Sequence, residues 1–322
     1  MRIPYCIAVI LWMVLSQAHA QLSSEQQTAK ERGLVLYNQY KATSAIPHLR
    51  IAAQAGDSES QYFLGEAIRK SKRYITSEAQ SAYEAAALQG DIYAMIRLAE
   101  NANDLCVLME NCPESSKEPG DWLQTAKQAA GEQAKNGNAE AMYLMFRITG
   151  DEDWLEKSAA NGYAFAQHYL ASGYQSGKEF FLLPSKRADL VERLMKSSAE
   201  GGYPQGMMGY AAIRAHKNDF DTFRYWNEKA ANTGYAIAVF GYGSYLSETP
   251  SEFGFPYDRV KSYALVYLLL ELDGSGALNG ITEDLLSEIS EKMTAEQIEK
   301  AKAFSKEWKS SHPPLSYFPD KL

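Results

Sequence analysis

The residue types suited to acid–base chemistry near neutral pH are the histidines, and beyond residue 20 they stand far apart, at His48, His168, His216 and His312. No His-Glu-x-x-His pair, Cys-x-x-Cys or glycine-rich phosphate loop accompanies them. Gly241, Tyr242, Gly243, Ser244 and Tyr245 come nearest to the Gly-x-Ser-x-Gly elbow of a serine nucleophile, but the run ends on tyrosine inside a helical pattern. Residues 273–280 faintly suggest a calcium loop. They lack acidic ligands at alternating positions and a closing glutamate in register, so they read as a flexible linker. His168 is the one candidate base, and a lone histidine in a helix more often packs than reacts. The expectation is therefore a protein with no catalytic residue, no metal and no cofactor.

The N-terminus carries its own signal. Arg2 supplies a positive charge, residues 6–15 are apolar, and Ala18, His19 and Ala20 form a small-residue cleavage site. That is the layout of a secretory signal peptide over residues 1–20, cut after Ala20. The apolar run is well short of the roughly 20 residues that a membrane span requires, and no later segment in the mature chain is long and apolar enough to span. Cleavage removes Arg2 and Cys6, leaving 31 basic against 40 acidic residues, a net charge of −9. Such acidity argues against nucleic acid or an anionic membrane as the main partner and is compatible with a basic protein. Cys106 and Cys112 remain, with five residues between them. In an exported chain they read as one disulfide closing a short loop, since no nearby histidine completes a metal site.

Between these features runs a repeated pattern of alanine, two variable residues, glycine, and a small residue four positions on. It recurs at Gly56, Gly90, Gly137, Gly162, Gly202 and Gly234, with steps of 34, 47, 25, 40 and 32 residues. Periods of that length are the mark of a solenoid. Each glycine ends one helix in the left-handed cap that glycine accepts without a Cβ penalty. Asp57, Asp91 and Asn138 directly follow the first three and can cap the next helix. Tyr163, Tyr203 and Tyr235 hold that place in the last three and cannot cap, so those turns must rest on packing. Small residues four and nine positions past the glycine, except for Phe146 at plus nine in the third copy, alternate with a large one at eight (Leu64, Leu98, Met145, Leu170, Tyr210, Tyr242), which lets helices approach closely. Returning helices are predicted over Ser77–Leu88, Glu152–Ala160, 186–199 and Phe220–Ala231, with Tyr83, Leu155, Leu194 and Trp226 turned inward. Thr294 and Gln297 make a capping box for a terminal helix.

This pattern resembles the Sel-one-like repeat, a relative of the tetratricopeptide repeat. Residues 157–162 (Lys-Ser-Ala-Ala-Asn-Gly) and 229–234 (Lys-Ala-Ala-Asn-Thr-Gly) are especially similar to it, and the match covers about residues 42–272. The resemblance implies an all-α, right-handed α/α superhelix. The organisation expected is a signal peptide (1–20), a repeat solenoid (21–272), then a linker, capping helices and an extended tail (273–322). Loops are inserted near 103–120 and 173–185. The second contains Phe180, Phe181, Leu182 and Leu183, which either pack back onto a helix pair or meet a partner.

In arrays of this type the first helix of each pair lines the concave side. Helical spacing from each glycine, together with the 21 tyrosines of the chain, selects Glu59, Tyr62, Glu66, Tyr93, Glu100, Glu140, Tyr143, Arg147, His168, Gln175 and Phe240 as partner-binding residues. Exported proteins of this family include immunity proteins that neutralise lipid-degrading effectors of type VI secretion systems. The resemblance therefore implies a periplasmic protein that occludes a phospholipase-type toxin. An envelope scaffold or regulator of a secretion or polysaccharide-export assembly is the alternative, and a hydrolase on a helical frame the third.

Overall fold

The computed structural model describes residues 21–178, 183–278 and 280–322. The signal segment lies outside them, as do Phe180, Phe181 and Leu182 of the second insertion. The chain is an all-α solenoid. Its first pairs are α1 (Ser24–Asn38) with α2 (Ala42–Gln54), α3 (Ser58–Lys72) with α4 (Ser77–Leu88), and α5 (Ile92–Glu100), which is followed by the short α6 (Leu105–Leu108) and then α7 (Pro119–Lys135). The stack continues through α8 (Ala139–Thr149) with α9 (Glu152–Ala160), α10 (Ala164–Gln175) with α11 (Pro184–Glu200), α12 (Pro204–His216) with α13 (Phe220–Ala231), and α14 (Ala236–Ser247) with α15 (Arg259–Leu268). Helices α16 (Ile281–Ser290) and α17 (Ala295–Ser311) pack on α15 and cap the far end.

All six repeat glycines sit at hairpin junctions with φ between 79° and 95°. The amide after each of the first five glycines donates back to the end of the preceding helix, as Asp57 N does to Ala52 O at 3.2 Å and Tyr163 N to Ser158 O at 3.2 Å, while Tyr235 N, after Gly234, donates to Thr233 Oγ1 at 3.3 Å. Asp57, Asp91 and Asn138 accept from the third amide of the next helix, while the three tyrosines make no cap bond. The small-residue stripe brings backbones together. A Cβ on Gly65 would lie 2.6 Å from the Tyr83 ring, and Ala94, Ala166, Ala211 and Ala238 are fully buried. Buried serines tie three returning helices to their predecessors: Ser158 Oγ donates to Ala139 O and Ser198 Oγ to Ala164 O, both at 2.6 Å, and Ser262 Oγ to Gly243 O at 2.7 Å. The core is continuous from Leu36 to Tyr317, as expected of stacked units that each bury part of a shared interior.

The longer first insertion contains α6, and Cys106 and Cys112 are joined in a disulfide across it. Cys106 is buried, while Leu105, Val107, Leu108 and Met109 are exposed. Among the described residues no helix is long and apolar enough to cross a membrane.

The superhelix does not stay open, and here the structure departs from the expected groove. Residues 271–275, after the last repeat, meet the first hairpin. Gln39 Nε2 donates to Glu271 Oε1 at 3.0 Å, Lys41 donates to the Glu271 carbonyl, and Lys41 Nζ pairs with Asp273 at 2.6 Å. The expected linker is thus tied to the first hairpin through Asp273 and buries Leu278, while Gly274, Gly276 and Ala277 stay exposed.

A concave channel filled by the chain itself

Beyond α17, three prolines (Pro313, Pro314 and Pro319) keep the chain from forming another helix, and it runs back into the ring as an extended segment. Its entry is fixed by main-chain bonds. Ser316 N donates to Gly234 O and Ala236 N to Ser316 O, each at 2.9 Å. Tyr317 N reaches the other end of the solenoid and donates to Asn38 O at 2.9 Å, while Gln39 Nε2 donates to Leu315 O at 3.2 Å. The Tyr317 ring is buried, stacks on Tyr40 with centroids 4.8 Å apart, and its hydroxyl donates to Ser275 O at 2.5 Å. The backbone passes so close that a Cβ on Gly234 would lie 2.6 Å from Pro314 O.

From Phe318 onward the segment follows the inner helices. An open groove of about 600 Å³ is lined by this segment and by a wall that includes Phe63, Tyr93, Tyr163, Phe165 and Tyr203. The rings touch one another along the wall: Tyr62 and Tyr93 at 5.8 Å, Tyr143 and Phe165 at 5.1 Å, and Phe165 and Tyr203 at 5.6 Å between centroids. The Lys321 carbonyl accepts from the Tyr62 hydroxyl and from Arg97 Nη2, the latter at 3.4 Å. Lys321 Nζ lies 4.7 Å above the Tyr93 ring and 3.9 Å from Glu140. The Asp320 carboxylate keeps solvent contact. Burial against the wall nevertheless pushes it above the usual aspartate range, against the pull of Arg147 and Arg97.

Of the residues selected from sequence, Tyr62, Tyr93, Glu140, Tyr143 and Arg147 surround this last stretch. Tyr93 donates to Glu140 at 2.6 Å and Arg147 to the Tyr143 hydroxyl at 3.1 Å. Glu59 lines the cavity and pairs with Lys30 at 2.9 Å. Glu66 is turned into the stack and has no exposed surface. It accepts from Tyr83 at 2.7 Å and from Arg97 Nε at 2.6 Å, with Arg69 at 3.5 Å. Burial pushes its carboxyl upward, but Arg97, Arg69 and these hydrogen bonds outweigh that and hold it below the usual range. Glu100 is exposed and pairs with Arg97 at 2.7 Å. His168 packs edge-on against Tyr203, and burial lowers its pKa. Gln175 is exposed, and Phe240 is half-buried against the core. Neither is drawn into the contacts of the tail given above.

Sequence reasoning passes over Arg97, which links the buried Glu66 to the tail, and, though it expects an extended tail, does not place that tail in the channel. Tyr163 and Tyr203, which the sequence marks only as non-capping residues, both line the channel. The clue lay in the composition of residues 313–319, Pro-Pro-Leu-Ser-Tyr-Phe-Pro, which is too apolar for a solvated end and cannot be helical. Chemically, the channel offers aromatic faces, main-chain donors and acceptors from several repeats, and two guanidinium groups. Those are the means of holding a polypeptide.

No family model matches the chain, and no curated protein matches it. Among solved structures it is similar to a protective antigen of uropathogenic Escherichia coli displaying an SLR fold, with 18% identity and a TM-score of 0.49. That alignment covers 90% of this chain and 62% of the antigen, so the chain spans less than two thirds of the antigen's length. It is also similar to a Sel1 repeat protein from Oxalobacter formigenes, with 17% identity, a TM-score of 0.41, and coverage of 75% of this chain and 98% of that one.

Proposed function

We propose that this chain is an exported, protein-binding repeat protein whose concave channel receives an extended segment of its partner. One observation carries the reading: the channel holds a polypeptide segment already, by backbone bonds and tyrosine faces drawn from separate repeats. Backbone-directed bonds do not depend on which polypeptide supplies them. The disulfide supports export, because such bonds persist in oxidising compartments. The repeat pattern and the acidic charge of −8 support a protein ligand over nucleic acid.

Within that class we assign it the role of a periplasmic immunity protein that binds and occludes a lipid-degrading effector of a type VI secretion system. Occlusion needs no catalytic residue, only a surface that covers the toxin's active site. The test is co-expression with a periplasm-directed phospholipase effector. The expected result is survival of the producing cell and a complex on gel filtration. Lysis without a complex would refute the immunity role.

A further inference from the structure

We infer that residues 313–322 are a resident ligand of the channel, displaced by a partner segment of the same chemistry: an extended peptide with an aromatic ring at the place of Tyr317 and a carboxylate at that of Asp320. The inference rests on the reading of the channel as a peptide-binding surface and adds what the peptide must look like and what it must remove.

Three features separate a resident ligand from a permanent part of the stack. First, the segment is anchored by two buried side chains, Leu315 and Tyr317, and its other bonds are made by its backbone. The bonds of Ser316, Tyr317, Leu315 and Lys321 go to Gly234, Asn38, Gln39, Tyr62 and Arg97, all of which belong to the stack and stay in place when the segment leaves. Second, its fit is incomplete. An open groove of about 600 Å³ runs beside Phe318, Pro319, Asp320 and Lys321 along an aromatic wall, and Asp320 and Lys321 stay exposed, where a core segment would be covered. Third, its charged end is loosely met. Asp320 accepts from the Lys321 and Leu322 amides and is attracted by Arg147 and Arg97, but among the described residues it forms no ion pair within 4 Å, while Arg97 is shared with Glu66 and Glu100. A partner carboxylate reaching slightly deeper gains a contact that the resident one lacks.

Tethering sets the threshold. A segment joined to the stack competes at an effective concentration on the order of millimolar, so the full chain shuts out a free peptide of equal intrinsic affinity. Loosening the tail lowers that barrier.

The test uses the full chain and a fluorescein-labelled peptide with the sequence of residues 313–322, followed by anisotropy. Tyr317→Ala removes the ring and hydroxyl contacts from the tail alone. Ser316→Pro removes one main-chain donor and leaves the stack intact. Each variant, with its helical circular dichroism and melting temperature checked, is expected to bind the peptide at least about tenfold more tightly than the unaltered chain. A peptide carrying Asp320→Asn, which cannot ionise, is expected to bind at neutral pH no more weakly than the unaltered peptide, because docking disfavours the ionised carboxylate. Hydrogen exchange on the unaltered chain gives an arm that needs no variant: the Ser316 and Tyr317 amides should exchange by local opening, well before those of α8 and α10. Folded variants that bind no better than the unaltered chain would overturn the proposal, as would tail amides that exchange only with global unfolding. A variant that dimerises while excluding the peptide would assign the channel to a second copy, and overturn it too. Peptide binding without protection from the effector would refute the immunity role and leave this inference standing.

Discussion

Glu66 shows how one residue changes meaning once its neighbours are known. Spacing placed it on the inner face as a carboxylate for a partner, and folding places it beneath that face, between Arg97 and Arg69 and against Tyr83. A buried ion pair adds little net stability, but removing one partner strands the other's charge. Glu66→Ala should therefore cost about 3–5 kcal/mol, while Glu66→Gln, which keeps an acceptor for Tyr83, should cost less. Guanidinium titration of both variants decides the order. The pH dependence follows from the same contacts. The folded carboxyl is held below its unfolded value, so its contribution is complete above roughly pH 5 and is lost as pH falls through the folded value. Acid unfolding should begin at higher pH in the unaltered chain than the other carboxylates alone require. An acid midpoint unchanged in Glu66→Gln would remove Glu66 from that account.

At the scale of helices and turns, the repeat glycines separate two requirements that look the same in sequence. Gly90 and Gly234 have φ of 95° and 79°, so alanine at either is strained by about 1–2 kcal/mol. Around Gly90 a Cβ meets nothing within 4 Å, whereas at Gly234 it meets the Pro314 carbonyl. Gly90→Ala should therefore lower stability alone. Gly234→Ala should also speed exchange at Ser316 and Tyr317, and equal exchange in the two variants would contradict that. The disulfide closes only a six-residue separation, so Cys112→Ser should cost about 2 kcal/mol at most in the chain-entropy account, read as a shift in denaturant midpoint. Much of this scale was legible in the sequence. Ala-x-x-Gly spacing located every hairpin turn it marked, Asp57, Asp91 and Asn138 were readable as caps, and the Thr294 capping box opens α17. These are local: each depends on residues within a turn or two. Which predicted inner-face side chains stay accessible was not legible, because burial of Tyr62, Tyr93 and Tyr143 depends on neighbouring repeats as well as on their own helix.

For the whole molecule, closure of the ring brings Gln39 to Glu271 and Leu315, residues 232 and 276 positions away. No periodicity encodes that meeting. It follows from the accumulated rotation of successive hairpins, so the open groove expected from repeat spacing becomes a channel with its own occupant. The occupant brings a pH response that belongs to the assembled ring. Docking places Asp320 near Arg147, Arg97 and Lys70 and among Tyr143, Tyr163 and Tyr203, with His168 against Tyr203. Burial raises the pKa of those three tyrosines and lowers that of His168, so each stays neutral at neutral pH. Asp320 is thus a channel carboxyl whose protonation is coupled to docking. Its docked pKa lies above the free value, so docking takes up a proton and is favoured as pH falls, and it weakens as pH rises through the docked value. The labelled tail peptide should therefore bind the Tyr317→Ala chain more tightly at pH 5 than at pH 7.5. The same peptide carrying Asp320→Asn should lose that difference. Tighter binding at the higher pH would mean that the attraction of Arg147 and Arg97 outweighs desolvation, and that the channel selects an ionised carboxylate outright.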